Sequence, residues 1–270
     1  MKPFLKWAGG KYRLLPYIQG SLPQGKRLIE PFVGSGAVFL NTNYDAYVLS
    51  DINADVIALY RTLTLHGEAF IAECRRLFIP ENNTAEAYYA LRDEFNATCE
   101  PVRRAALFVY LNRHGYNGLC RYNADGRFNV PFGRYKRPYF PEREMRYFYE
   151  KARRAEFLCL DFREVMRMAE PGDVVYCDPP YVPLSKTANF RQYAALGFGE
   201  AEQRDLARIA EELAERGIPV LVSNHLTPFT VREYQRATCQ PLQVRRAISC
   251  VGARRGYAPE VLALFTPTSR

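Results

Sequence analysis

An apolar run at residues 174–177, Val-Val-Tyr-Cys, ends in Asp178-Pro179-Pro180-Tyr181. This junction constrains the fold more than any other part of the chain. Val-Val-Tyr-Cys suits a buried strand. Two prolines cannot extend it, because neither donates a ladder hydrogen bond. The chain has to turn out of the sheet edge at Asp178. A carboxylate, a proline carbonyl and an aromatic face are then left at the carboxyl end of a strand, where open α/β sheets bind ligands. The set suits a planar amine: two acceptors for its two hydrogens and a ring for its π-face.

A second junction of this kind lies upstream. Residues 27–32, Arg-Leu-Ile-Glu-Pro-Phe, read as a strand that stops at Pro31. Gly34, Ser35 and Gly36 follow, then an apolar stretch from Ala37 to Leu40 that opens a helix. Residues 46–50 read as the next strand, closed by Asp51. Strand, glycine turn, helix, strand and terminal acid describe a nucleotide-type βαβ unit, with Asp51 near the place of a ribose-binding carboxylate. From about 55 to 112 the pattern turns helical. Asn83-Thr84-Ala85-Glu86 resembles a capping box, and Pro101 suits a first helical position. Residues 141–157 read as a helix, 157–161 and 173–177 as short strands, 200–216 as a helix closed by Gly217, and 218–224 as a buried strand. Residues 244–250 and 260–266 suit a closing pair of strands. The organisation expected is a discontinuous catalytic core, 1–55 and 140–270, around a helical insertion, 56–139.

Charge indicates what the insertion meets. The net charge is +8 and the sequence pI about 9.1, a modest sign of a polyanionic partner. Residues 112–138 hold six Lys or Arg and one acid. A solvated basic loop would explain the cations alone. Here Tyr116, Tyr122, Phe128, Phe132 and Tyr135 are interleaved with Arg113, Arg121, Arg134, Lys136 and Arg137, alongside Asn112, Asn117, Asn123 and Asn129. Charge for phosphates, amides for base edges and rings for stacking is what a nucleic-acid reader needs. Seven scattered cysteines with no C-x-x-C, and three scattered histidines, argue against a metal site and fit a reducing compartment. No apolar run approaches the roughly 18 residues that span a bilayer, and no leader-like apolar segment opens the chain. A cytoplasmic protein without membrane contact is expected.

Taken together, Lys6-Trp-Ala-Gly-Gly-Lys11, Pro31-Phe-Val-Gly-Ser-Gly36, Asp51-Ile-Asn53, the stretches 117–123 and 129–135, and Asp178–Tyr181 resemble the DNA adenine methylase (Dam) family. This is the class of N6-adenine DNA methyltransferases whose cofactor motif precedes the recognition insert. The resemblance covers essentially the whole chain. It implies an α/β, Rossmann-like mixed-sheet methyltransferase core with a helical recognition insertion, S-adenosylmethionine as methyl donor, S-adenosylhomocysteine as product, no metal, and a GATC target in double-stranded DNA. By it, Trp7, Lys11, Phe32, Gly34, Gly36, Asp51, Asp161, Phe162 and Asp178 face the cofactor, and Asp178, Pro179, Pro180 and Tyr181 form the catalytic turn. Lys6, Tyr116, Asn117, Leu119, Arg121 and Pro131 fall where the family touches or wedges its DNA. Asn112, Arg113, Asn129, Arg134, Lys136 and Arg137 join them as candidate DNA contacts. Without the resemblance, Trp7 reads equally as an anchoring core aromatic, and Asp161-Phe162 as a plain strand terminus. The segment from Cys250 to Glu260 departs from the Ser-Asn-Gly-Gly loop of close relatives.

The residues themselves define an in-line transfer to a held amine. Asp178 and the Pro179 carbonyl accept the two N6 hydrogens, and Tyr181 stacks on a base that has left the duplex. The polar stretch 182–199 reads either as a cover for that base or as a surface loop. Rival readings are a methyltransferase for RNA or for cytosine N4, against which Asp178 rather than Ser speaks, and a non-catalytic DNA-binding module. Nothing indicates an obligate protein partner, so a monomer is expected.

Overall fold

The computed structural model describes residues 1–182, 197–245 and 257–267. Its strands are β1 (Arg27–Glu30), β2 (Ala46–Ser50), β3 (Ala155–Leu158), β4 (Asp173–Cys177), β5 (Val220–His225), β6 (Thr238–Arg245) and β7 (Tyr257–Phe265). They form one mixed sheet in the order β3-β2-β1-β4-β5-β7-β6. β1 pairs in parallel with β2 and β4, and β4 with β5. β7 runs antiparallel to β5 and to β6. Parallel central strands need cover on both faces, and Val174, Val175, Val220, Leu221 and Val222 are fully buried. The chain order reverses between β1 and β4. Their register (Arg27 opposite Asp173, Ile29 opposite Val175) makes the turns at Pro31 and Asp178 leave the same edge of the sheet. That is the topological switch point of a Rossmann-like sheet.

By its contacts the chain divides into two units: Met1–Leu15, Val33–Asn43 and Asn53–Cys159, and Pro16–Phe32, Tyr44–Ile52 and Leu160–Arg270. The helices in chain order are α1 (Leu15–Ser21), α2 (Ala37–Asn41), α3 (Ala54–Leu77), α4 (Ala85–Ala97), α5 (Pro101–His114), α6 (Glu142–Ala152), α7 (Phe162–Arg167), α8 (Glu200–Glu215) and α9 (Pro228–Glu233). In the first unit, Phe4, Phe39, Tyr60, Phe148 and Phe157 pack ring on ring, with centroids 4.6–6.0 Å apart. Two of its long helices, α3 and α5, are capped by side chains. Asn53 Oδ1 accepts the Asp55 and Val56 amides at α3, and Glu100 accepts those of Val102 and Arg103 at α5, behind Pro101.

Some boundaries differ from the sequence reading. Thr84 caps α4 through the Ala87 amide alone. The third helical position is Ala87 rather than Glu86, so no carboxylate reciprocates and no capping box forms. The helix expected over 141–157 stops at Ala152, and the next strand begins at Ala155, because Phe157 is drawn into the core. The closing pair begins earlier than expected, with β6 from Thr238; residues 246–256 lie outside the described residues. Among the described residues, no helix is long and apolar enough to cross a membrane.

Candidate active site and nucleic-acid interface

β4 carries Asp178 to the sheet edge, half-buried, with Pro179 buried behind it. Asp178 Oδ1 accepts a hydrogen bond from Ser223 Oγ on β5 at 3.1 Å. The Tyr176 hydroxyl lies 3.1 Å from the same Ser223 oxygen. Burial, with the Asp178 charge second, pushes the Tyr176 phenol well above its ordinary pKa, so it stays protonated. Beyond the turn, Tyr181 donates its hydroxyl to Glu260 Oε2 on β7 at 3.0 Å and meets the His225 ring edge to face at 4.8 Å. Val182 N–H is bound by Asn224 Oδ1 at 3.0 Å, and the Pro180 carbonyl by Gln203 Nε2 at 2.7 Å. Of the stretch 182–199, read either as a cover for the base or as a surface loop, residues 183–196 lie outside the described residues.

The same unit holds Phe32, Asp51, Asp161 and Phe162. Ser50 at the end of β2 donates to the Leu160 carbonyl at 3.3 Å, so Asp51 and Asp161, one residue further along each segment, leave neighbouring positions. Ile52 beside Asp51 is 74% exposed, an apolar face left to solvent. Phe32 stacks on Phe162 at 5.4 Å, and both rings meet Phe198. Asp161 Oδ1 caps α7 by accepting the Arg163 amide at 2.9 Å, and Arg163 also pairs with Asp205.

In the first unit the glycine turn packs on the N-terminal motif. Gly34 has φ +48, and a Cβ there would stand 2.7 Å from Trp7 Nε1. The Trp7 indole therefore lies against the bare Gly34 backbone, where a side chain would collide. Tyr60 donates its hydroxyl to the Gly34 carbonyl at 2.6 Å. Gly36 caps α2 from the left-handed region. Lys11 is buried, with Nζ donating to the Gly9 carbonyl at 2.7 Å.

The basic segment forms an ordered platform in that unit. Residues 121–129 fold as a narrow hairpin, with Asn123 N–H to Arg127 O and Asn129 N–H to Arg121 O. Tyr122 anchors it, donating at 2.6 Å to Asp55, which Arg104 also grips. Arg121 is exposed, and its Nε and Nη2 are held by Asn129 at 2.8 and 3.2 Å. Lys6 lies beside the 112–118 loop. Its ammonium sits 4.0 Å over the Tyr135 ring and donates to the Arg113 carbonyl. Burial first, and Arg113 second, bring its pKa down to about 8. Tyr116 is 51% exposed, and Asn117, Pro131, Arg134, Lys136 and Arg137 are exposed, with Leu119 half-buried. Two of the residues read as DNA contacts have hydrogen bonds within the fold. Asn112 is 2% exposed, and its amide is spent on the Lys6 backbone and the Gly118 carbonyl. Half-buried Arg113 directs Nε to the Tyr139 carbonyl and lies over the Tyr139 ring. Sequence reasoning missed Ser223, Asn224, Gln203 and Glu260. The one available signal was the pair of polar residues ending the apolar strand Ile218-Pro-Val-Leu-Val-Ser-Asn224.

A Rossmann-like sheet with a carboxylate-proline turn at its switch point, in a chain that also carries a basic aromatic platform, defines a methyltransferase that works on nucleic acid. The chain matches the D12 class N6 adenine-specific DNA methyltransferase model over residues 7–248 and belongs to that family. It is 54% identical to a DNA adenine methylase of Escherichia coli K12 over 98% of this chain and 96% of that protein. The figures are 54% with 98% of each chain for that of Serratia marcescens, and 52% with 98% and 96% for that of Vibrio cholerae. It is an enzyme that methylates adenine N6 in DNA.

Proposed function

We propose that the protein transfers the methyl group of S-adenosylmethionine to adenine N6 within GATC of double-stranded DNA, on a base turned out of the helix. The observation that carries the reading is the Asp178 turn: a carboxylate fixed by Ser223 beside a proline carbonyl at the switch point of the sheet. The chain's residues suit the donor. Asp51, at a parallel strand end, accepts ribose hydroxyls, exposed Ile52 and the Phe32–Phe162 stack offer apolar faces to an adenine, and Trp7, Lys11, Gly34 and Gly36 line the motif that receives the rest. When bound, the donor supplies a methyl group on a sulfonium.

The adenine amine is a weak nucleophile because its lone pair is delocalised into the ring. Asp178 and the Pro179 carbonyl accept its two hydrogens and turn the lone pair toward the methyl group. Transfer places positive charge on N6 beside the Asp178 carboxylate, and that charge is what the site stabilises; the excess N6 proton is lost to solvent after transfer, leaving neutral N6-methyladenine. Tyr181, backed by His225, flanks the base. A base inside a duplex does not reach this turn, so it flips, at a cost of a few kcal/mol. Arg121, braced by Asn129, presents its remaining guanidinium edge to a guanine. Lys6, Arg134, Lys136 and Arg137 meet phosphates, and Tyr116, Asn117, Leu119 and Pro131 meet bases at the opening. Asn112 and Arg113 act through that loop. The enzyme works as a monomer in the cytoplasm, on nucleoid DNA.

The test is incorporation of tritiated methyl groups into unmethylated plasmid, followed by cleavage with nucleases that adenine methylation at GATC blocks or enables. Incorporation with full protection of GATC is the expected result. Incorporation without protection would refute the GATC assignment, and incorporation into RNA in preference to duplex DNA would refute the substrate.

A further inference from the structure

Two of the four residues in the catalytic turn are prolines, so the turn has few N–H groups with which to fix itself. Side chains from outside it supply the missing restraint. Ser223 and Asn224 are consecutive at the end of β5, so their side chains point to opposite faces of the sheet. Ser223 reaches the entry of the turn. Its oxygen lies 3.1 Å from Asp178 Oδ1, 3.1 Å from the Tyr176 hydroxyl and 3.4 Å from the Cys177 carbonyl. A hydroxyl has one hydrogen to give, and a carboxylate accepts it most strongly. The relay therefore runs from Tyr176 to Ser223 to Asp178.

Asn224 reaches the exit. It is fully buried, and its amide is used completely. Oδ1 accepts the amides of Val182 at 3.0 Å and His225 at 2.9 Å. Nδ2 donates to Gln203 Oε1 and to the Tyr234 hydroxyl, each at 3.0 Å. Gln203 Nε2 in turn donates to the Pro180 carbonyl at 2.7 Å. Both amide orientations follow from this network, because the Val182 and His225 amides need an acceptor and the Pro180 carbonyl needs a donor. The Pro180 carbonyl and the Val182 amide are held on the exit side, and Ser223 holds Asp178 on the entry side, so the peptide between Pro179 and Pro180 lies between two restrained ends.

We infer that Ser223 and Asn224 are positioning residues for methyl transfer: Ser223 orients the Asp178 carboxylate, and Asn224, with Gln203, fixes the turn so that the Pro179 carbonyl is presented to the target amine. Neither is assigned contact with DNA or donor, so their loss should appear in the chemical step and spare binding. The inference rests on the methyl-transfer reading of the Asp178 turn.

The experiment compares single-turnover methyl transfer, duplex affinity and thermal unfolding for the wild type, Ser223→Ala, Ser223→Thr and Gln203→Leu. Wild-type transfer to adenine is the control: its absence would reject the reading of the turn itself. Ser223→Ala should slow transfer at least about 10-fold, the loss expected for a hydrogen bond to a charged group, with duplex Kd and the KM for the donor within about 2-fold of wild type. Ser223→Thr, which keeps the hydroxyl, should retain at least a third of the wild-type rate. Gln203→Leu should slow transfer with the same split. Wild-type rates in Ser223→Ala, or equal losses in the Ala and Thr variants, would overturn the inference. Should Ser223→Ala not fold, Tyr176→Phe decides: slowing of about 3-fold or more supports the relay, and an unchanged rate overturns it.

Discussion

Gly118→Ala tests how the N-terminal motif and the recognition loop are joined. Gly118 has φ +63, where an alanine is strained by about 1–2 kcal/mol. Its new Cβ would stand 2.2 Å from Lys6 Cβ and 2.5 Å from Lys6 Cδ. Lys6 Cβ is fixed to the backbone and cannot swing aside. The Lys6 segment has to move, and it is tied to Asn112 by two hydrogen bonds of 2.8 Å. Losing both adds about 1–3 kcal/mol. Gly126→Ala is the matched control: it has φ +72, but no atom lies within 4 Å of its Cβ, so it carries the conformational strain alone. At about 2–4 °C per kcal/mol for a chain of this size, Gly118→Ala should unfold several degrees below Gly126→Ala in calorimetry. It should also bind duplex DNA about 10-fold more weakly by fluorescence anisotropy, as expected when a positioned cation is displaced. Equal unfolding temperatures, or duplex affinity equal to that of the control, would refute the packing argument.

Other outcomes follow from the same geometry. Asp51→Ala should weaken S-adenosylmethionine binding about 10-fold to 100-fold by calorimetry, the loss of a charged hydrogen-bond partner, and unchanged affinity would remove Asp51 from the donor site. Arg121→Ala should slow methylation of GATC more than that of sites altered at one guanine pair, for about 1–3 kcal/mol of lost discrimination; equal fold-losses on all sites would make it a phosphate clamp. Lys6, with its pKa brought down to about 8 by burial, loses its charge as pH rises from 7 to 9, so duplex affinity should fall over that range and stay flatter in Lys6→Arg. The sign for folding is opposite: burial penalises the charged form, so the contribution of Lys6 to stability improves as pH rises through about 8 toward the unfolded value near 10.4.

Much of this was legible in the sequence for reasons that can be stated. A proline directly after the strands at 27–30 and, behind Asp178, at 173–177 removes a ladder donor just where each strand meets a turn, so β1 and β4 and the turns that leave them were readable, as was β2 with its terminal Asp51. The start of α5 was readable at Pro101, where the signal is local. The network around the catalytic turn was not, because its members come from β4, β5, β7 and α8. Nothing local marks Gln203, in the first turn of an amphipathic helix, as the partner of a carbonyl more than twenty residues earlier. The hydrogen bonds of Asn112 were hidden for a related reason: an asparagine among cations resembles a base reader, and only the fold reveals that its amide binds Lys6 and Gly118. The packing of Gly34 against Trp7 was likewise hidden, because the two residues lie far apart in the sequence.

The central claim is that Asp178 serves the transfer step itself. Asp178→Ala, compared with wild type in single-turnover transfer from S-adenosylmethionine to a duplex with one GATC site, tests it most directly, with duplex affinity measured in parallel. The account predicts a fall in the transfer rate constant of about 100-fold or more, as for loss of a group that stabilises developing charge, with duplex affinity within about 2-fold of wild type. A transfer rate within a few-fold of wild type would contradict it.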